Sequence, residues 1–367
     1  MSALNHLPPN LIETILPLLP PKSLGRFKSV SKHWYSLISS PNFIKTHIRE
    51  YTKNNPNPNP THLILVPNYS DYPLYSLDIK LLNTQTTPTT VAAKRMNLPK
   101  SCFEILGSCN GFILANDRYG NLRLVNPVVG KPLKVSGGKS IDGTFGFDYD
   151  SSTDDYKVIS ISCKGVSQSD PNSKFSSVYS LRNNSWKILP NSSYQQHKHH
   201  SLRPGVLVNN NLHWIVRSSH STLTIAAFNL ANEEFHEIEF PDSIDYDGDK
   251  WYQLHSLGGK LVADLWDEMY FDEGVSELRV MEEYGDPKSW TKLCIFNDHR
   301  YPDYESFAQI GNRNILLGIS NEEEINEIIV YNMDKRRCTH VTVEGCQEGF
   351  EYYGTYVESL ESLERFR

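Results

Sequence analysis

The sequence predicts a mixed architecture: a small all-α N-terminal module of three to four short helices, followed by an all-β propeller of about six four-stranded antiparallel blades. Three observations carry that expectation. Apolar residues recur at helical spacing only as far as about residue 47. Beyond a proline-rich stretch at 51–60, β-branched and aromatic runs return at a nearly fixed interval. The 367 residues, 39% apolar and 22% charged, suit one large folded domain plus a smaller one.

In the helical module Leu11, Ile12, Ile15, Leu16 and Leu19 form one stripe, and Leu24, Phe27, Val30, Trp34, Leu37 and Ile38 form another. Pro8-Pro9-Asn10 opens the first helix, because proline is tolerated where the amide has no intrahelical partner. Pro20-Pro21 breaks the chain before the second helix; Ser31 is placed to cap a third and Ser40-Pro41 a short fourth. Pro17 removes the amide bond to the Glu13 carbonyl, which costs about 3 kcal/mol in a helix interior and less near an end. Gly25 weakens its helix by roughly 1 kcal/mol relative to alanine. A module of this size usually needs a metal, disulfides or a partner. The six cysteines form no close Cys/His quartet and read as reduced structural thiols, so the stripe is expected to dock on another protein.

These residues resemble a known family. Leu7-Pro8, Leu11-Ile12, Ile15-Leu16, Leu19-Pro20, Lys22-Ser23-Leu24, Arg26-Phe27, Val30-Ser31-Lys32, Trp34 and Leu37-Ile38-Ser39-Ser40-Pro41 are similar, in order and spacing, to the F-box of plant F-box proteins. The resemblance implies a Skp-type adaptor as partner and, through it, the cullin and RING subunits of an SCF ubiquitin ligase. Leu7, Pro8, Leu11, Ile12, Ile15, Leu16, Leu24, Val30 and Trp34 are the adaptor-binding candidates, divided between the adaptor surface and the module's own small core. Residues 1–48 are assigned to this F-box. Residues 49–60 form a linker whose Asn-Pro alternation favours extended geometry.

Residues 61–367 carry the repeat. Leu63, Phe112, Val158, Leu212, Leu261 and Ile315 stand 49, 46, 54, 49 and 54 residues apart, close to the kelch length of about 50. A Gly/Asn turn precedes the strand at Asn110-Gly111-Phe112, Asn210-Asn211-Leu212, Gly259-Lys260-Leu261 and Arg313-Asn314-Ile315. A second strand follows in each unit, and then an anchor: Tyr179 to Trp186, Phe228 to Phe235 and Tyr331 to Cys338 are all seven apart, while Val280 to Trp290 carries an insertion. Trp186, Trp214, Trp266 and Trp290 are read as blade-to-blade core. Ring closure requires a strand from each end of the domain, and Tyr352 to Val357 is expected to pair near Leu63 to Val66.

Gly107-Ser108-Cys109-Asn110-Gly111, Val125-Asn126-Pro127, Phe145-Gly146-Phe147-Asp148, Asp155-Tyr156-Lys157-Val158, Val178-Tyr179-Ser180-Leu181 with Trp186, and Leu212-His213-Trp214 resemble the plant F-box-associated domain of the kelch-like class. That resemblance implies a substrate receptor without fixing its target or its contact residues.

Charge is uneven. Residues 1–60 hold seven Lys/Arg against Glu13 and Glu50, while residues 236–286 hold fifteen Asp/Glu against Lys250, Lys260 and Arg279. Such a stretch repels phosphate backbones, so no nucleic-acid partner is expected of it. No apolar run reaches the length of a spanning helix, and no membrane partner is expected. Asp245, Asp247 and Asp249 lack the glycine and glutamate placement of a calcium loop; they are candidate contacts to a basic substrate. His197, His199 and His200 fall in a polar run that reads as a loop, and Val128 to Lys131 lacks the flanking residues of a phosphate cradle and reads as a turn. Cys109, Cys338 and Cys346 are read as buried small hydrophobes. No cofactor is expected. The leading function is therefore non-catalytic: a receptor bringing an unidentified protein substrate to the ligase, in cytoplasm or nucleus, by proximity. The alternatives are an adaptor-bound protein that sequesters its target, or a propeller enzyme.

Overall fold

A computed structural model describes residues 9–53, 62–67, 73–82, 90–99, 104–117, 119–130, 132–139, 143–162, 176–189, 194, 204–217, 223–240, 250–267, 275–297, 304–310, 314–319, 327–346 and 350–363. Four helices come first: α1 (Pro9–Ile15), α2 (Pro21–Phe27), α3 (Lys32–Ser39) and α4 (Pro41–Lys53). Pro17 marks where α1 stops, because the chain tightens into a 3-10 turn at Leu16–Leu18. The Ser31 side chain accepts from the Trp34 amide at 3.1 Å and Ser40 from that of Phe43 at 3.2 Å, so both expected caps are in place. The fourth helix is not short. It is the longest at 13 residues and runs past residue 48 into the segment read as linker.

Six sheets follow. Blade 1 joins the C-terminal strand Phe350–Tyr356 to His62–Pro67, Tyr75–Asp78 and Lys94–Arg95. Its register pairs Leu63 with Thr355, Leu65 with Tyr352 and Val66 with Glu351, which is the expected closure. Blade 2 contains Glu104–Cys109, Phe112–Asn116, Asn121–Val125 and Leu133–Lys139; blade 3 contains Gly143–Asp150, Asp155–Ser162, Ser177–Ser180 and Ser185–Ile188. Blade 4 is built from Val206–Val208, Asn211–Arg217, Leu223–Asn229 and Glu234–Ile238, and blade 5 from Lys250–Leu257, Lys260–Asp267, Val275–Met281 and Trp290–Asn297. Blade 6 holds Tyr304–Ile310, Asn314–Ile319, Glu327–Asn332 and Arg337–Glu344. It also has a fifth strand, Thr90–Ala92, parallel to Arg337–Glu344, where four antiparallel strands were expected. This strand comes from between two strands of blade 1, so blades 6 and 1 are joined at their outer edge as well as by the closing strand.

The core is a set of blade interfaces, and the strand period of two explains how one strand serves two of them. Leu63 and Leu65 face blade 6, whereas Ile64 between them faces blade 2. Likewise Phe112 and Leu114 pack toward blade 3, but Ile113 and Ala115 toward blade 1. Because both faces are buried, these strands read as continuous apolar runs. Clusters at blades 3–4, 4–5 and 5–6 complete the ring. Tight turns at the same place in blades 2, 4 and 5 put consecutive residues at positive φ: Asn110 and Gly111, Asn209 and Asn210, Gly258 and Gly259.

The tryptophan expectation holds where the side chains are described. Trp186 of blade 3 donates to the Ser136 carbonyl of blade 2 at 2.9 Å, and Trp214 of blade 4 to the Phe145 carbonyl of blade 3 at 3.1 Å. Trp290 packs against the blade 4–5 core, with its backbone opposite Met281 rather than Val280, since the turn at Pro287–Ser289 and a bulge after Leu278 shift the register. The Trp266 side chain lies outside the described residues.

Candidate functional site

The helices form a core that is small and shared. Leu16, Leu24, Ile38 and Phe43 are buried in it, with Ile12, Leu19, Phe27, Trp34 and Leu37 partly buried around them. The Phe27 and Trp34 rings meet edge to face at 5.4 Å, and Phe43 stacks on His47. His47 Nε2 lies 2.9 Å from the Leu19 carbonyl and ties α4 to the end of the 3-10 turn. Burial lowers the His47 pKa, against the opposing pull of that carbonyl, so the ring is held neutral.

Two members of this core come from the other domain. Val128, in the turn between the third and fourth strands of blade 2, and Leu360, beyond the closing strand, both pack into the helical cluster. A third tie is polar: Lys45 on α4 reaches Asp154 at 2.8 Å in the first turn of blade 3. Asp154 also accepts from Tyr149 at 2.6 Å and from Arg182 at 3.0 Å. All three ties fall at the end of the blades where first and second, and third and fourth, strands turn. The helical module is therefore seated on the rim of blades 2 and 3.

Several large apolar side chains of the module are left exposed among polar ones. Leu11, Ile15 and Leu18, spaced to share one side of the first helix and its 3-10 extension, are 44%, 44% and 51% exposed. Val30 after α2 and Tyr35 on α3 are 63% and 59% exposed. Side chains of this size exposed in one small module mark a surface built to be covered.

The adaptor candidates divide accordingly. Leu11, Ile15 and Val30 are exposed, while Ile12 and Trp34 are partly buried at the core's edge. Leu16 and Leu24 are corrected to core residues, 3% and 0% exposed, because the turn at Pro17 and the seating of α2 direct them inward where no partner reaches them. Leu7 and Pro8 lie outside the described residues, as do Asp245, Asp247 and Asp249 and the run His197, His199 and His200. Leu18 and Tyr35 are also exposed though not among the candidates; the i, i+4, i+7 spacing from Leu11 signals the first, and nothing in the local pattern singles out the second.

The motif Cys109-Asn110-Gly111 has a role unrelated to thiol chemistry. Cys109 donates to Asp148 at 2.9 Å, and burial followed by the Asp148 charge pushes its thiol well above the ordinary value, which makes it a poor nucleophile. Burial in turn pushes the Asp148 carboxyl up to about 6, against the hydrogen bonds from Cys109 and the Tyr149 amide. Cys338 and Cys346 are packed against apolar clusters. Val128 to Gly130 is a turn closed on Asn126, whose side chain accepts from the Val128 amide at 2.9 Å and whose carbonyl accepts from Gly130 at 2.7 Å. Among the described residues no three potential metal ligands converge.

Comparison with known proteins agrees with this geometry. The F-box domain matches residues 4–46 and the F-box associated β-propeller domain matches residues 65–363. The F-box protein CPR1 of Arabidopsis thaliana is 26% identical over 375 residues, covering 94% of this chain and 86% of that protein. An F-box/kelch-repeat protein of the same plant is 29% identical over 301 residues, covering 79% of each. With six blades closed by a C-terminal strand and a helical module on their rim, the chain belongs to the F-box proteins that carry the F-box associated β-propeller domain.

Proposed function

We propose that this chain is the target-recognition subunit of an SCF-type ubiquitin ligase, its F-box docking a Skp-type adaptor and its propeller holding a protein target. The observation that carries the reading is the exposed apolar set Leu11, Ile15, Leu18, Val30 and Tyr35 on a module whose other side is already covered by the propeller. Each Leu or Ile fully buried by a partner contributes about 1.5 to 3 kcal/mol, so a few of them suffice for a specific complex. No group of this chain takes part in chemistry; the rate of ubiquitin transfer rises because target and conjugating enzyme are held together. Cytoplasm or nucleus is the compartment that goes with this reading.

Strand direction supports a reading of the target side. The helical module sits at the end of the blades that carries the tight turns, so the connections between second and third strands, and between blades, leave from the opposite end. Asp245, Asp247 and Asp249 fall in sequence between Glu234–Ile238 and Lys250–Leu257, and we assign them to capture of a basic target segment. Co-purification of a Skp-type adaptor with the full chain tests the docking half. Leu11→Asp with Ile15→Asp is expected to abolish it without lowering the melting temperature. Retained capture in that folded double variant would overturn the reading. Target half-life with and without these changes separates degradation from sequestration. Reversal of the three aspartates to lysine should leave adaptor capture intact and weaken target capture most at low salt.

A further inference from the structure

Residues 357–363 follow the closing strand and pair with no sheet, yet most of them are buried. Ser359, Leu360, Glu361 and Leu363 are 2%, 3%, 1% and 5% exposed. A ring closed by Phe350–Tyr356 does not itself require this segment. Burying a run of peptide groups outside any sheet is unfavourable unless they find partners, and here they do. The Asn126 amide donates to the Ser359 carbonyl at 3.1 Å and to the Glu361 carbonyl at 2.9 Å. The Ser359 hydroxyl donates to the Asn110 carbonyl. At Gly111, with φ +86°, a Cβ would stand 2.2 Å from Ser359 Oγ, so only glycine admits the segment this close. Leu363 enters the core between blades 2 and 3, while Leu360, three residues earlier, enters the helical core.

We propose that this segment is a strap that completes the F-box core, so that order in the F-box helices, and with it adaptor docking, depends on a closed propeller. Among the described residues the helices themselves contribute few buried large apolar side chains, Leu16, Leu24, Ile38 and Phe43 in the shared cluster and Ile44 beside it. That is too little for a module of this size to hold its packing alone. Leu360 supplies the next buried side chain, and it stands four residues past Tyr356, the end of the closing strand. The strap therefore reaches the helices only when Phe350–Tyr356 has paired with His62–Pro67. A chain with an open ring presents an F-box with an unfinished core. The Asn110-Gly111 and Asn126 positions are then strap-holding residues.

The docking consequence rests on the receptor reading above, but the structural test does not use the adaptor, so the two fail separately. Amide hydrogen exchange is followed in the full chain for Leu360→Asp, Leu360→Ala and Leu360→Met. In Leu360→Asp, exchange in Lys32–Ser39 and Pro41–Lys53 is expected to quicken ~30-fold or more, with Phe112–Asn116 and Asp155–Ser162 within ~2-fold of the parent. Leu360→Ala should lie between, and Leu360→Met should retain protection. Adaptor affinity should fall in the same order although Leu360 is not on the exposed face. Unchanged helix exchange in a folded Leu360→Asp chain overturns the strap, as does equal quickening in strands and helices. If that variant does not fold, Leu360→Ala decides by the same two criteria. Lost helix protection with full adaptor affinity overturns the dependence of docking on the strap. Failure of the parent chain to bind any adaptor counts against the receptor reading and leaves exchange to decide the strap.

Discussion

The helical module and the interface between blades 2 and 3 bury apolar surface in different ways. Between the blades, Phe112, Leu114, Tyr156 and Tyr179 are all 1% exposed or less, and Tyr156 meets Phe112 and Phe147 at ring distances of 5.0 and 5.8 Å. Most of that core is supplied by the repeat itself, with Leu363 from the segment after the closing strand added to it. In the helical module the core is completed by Leu360 and Val128 from outside, and among the described residues five large apolar side chains remain exposed. A repeated sheet closes on itself; a forty-residue helical unit does not, and its core draws on chain from the propeller.

The comparison breaks most decisively at the ring. Deleting residues 350–367 removes the inner strand of blade 1 and the strap together, and the propeller should lose its cooperative melting transition rather than fray. A calorimetric transition that survives would show that the blades do not need closure. The next largest effect is expected between blades. A Cβ at Gly146 would stand 2.4 Å from the Trp214 ring, so Gly146→Ala should cost about 3 kcal/mol, read as a lower urea midpoint at unchanged slope. A cost near zero would mean that this interface yields as readily as the helical one.

A third prediction sharpens the contrast through pH. Burial holds His213, between the Val206 carbonyl and Tyr284, down to about 4, against that carbonyl's opposing effect. Its folded pKa lies below its unfolded value of 6.5, so its contribution is fully present above about pH 6.5 and fades as pH falls toward 4. On the order of 2 kcal/mol should be lost over that window, and His213→Gln should flatten the slope. The smallest effect is a gain. Gly25 on α2 is exposed and a Cβ there would meet nothing within 4 Å, so Gly25→Ala should stabilise the helices by just under about 1 kcal/mol. It should do so without altering propeller melting.

Much of the fold was legible because it depends on local rules. Leu63, Phe112, Val158, Leu212, Leu261 and Ile315, aligned by spacing alone, all fall on the second strand of their blades. The anchors at seven-residue separation, Tyr179 with Trp186, Phe228 with Phe235 and Tyr331 with Cys338, are direct cross-strand partners, because a tight turn between antiparallel strands fixes that distance. The fifth strand of blade 6 was not legible. Thr90–Ala92 is three residues long and its partner is about 250 residues away in sequence, so no periodicity could reveal it. At the candidate site the stripe was read correctly as an amphipathic set, but Leu16 and Leu24 were not separable from Leu11 and Ile15.

The sequence by itself determined the number of helices, the Ser31 and Ser40 caps, the seven-residue cross-strand pairs and the closing pair, since each is set by spacing or turn chemistry within a few dozen residues or by the need of a repeat to close. Tertiary structure alone decided which apolar residues of the F-box look outward and which are covered. Helical periodicity defines a stripe wider than any single contact, and what covers it depends on chain brought from far away, here Val128 and Leu360.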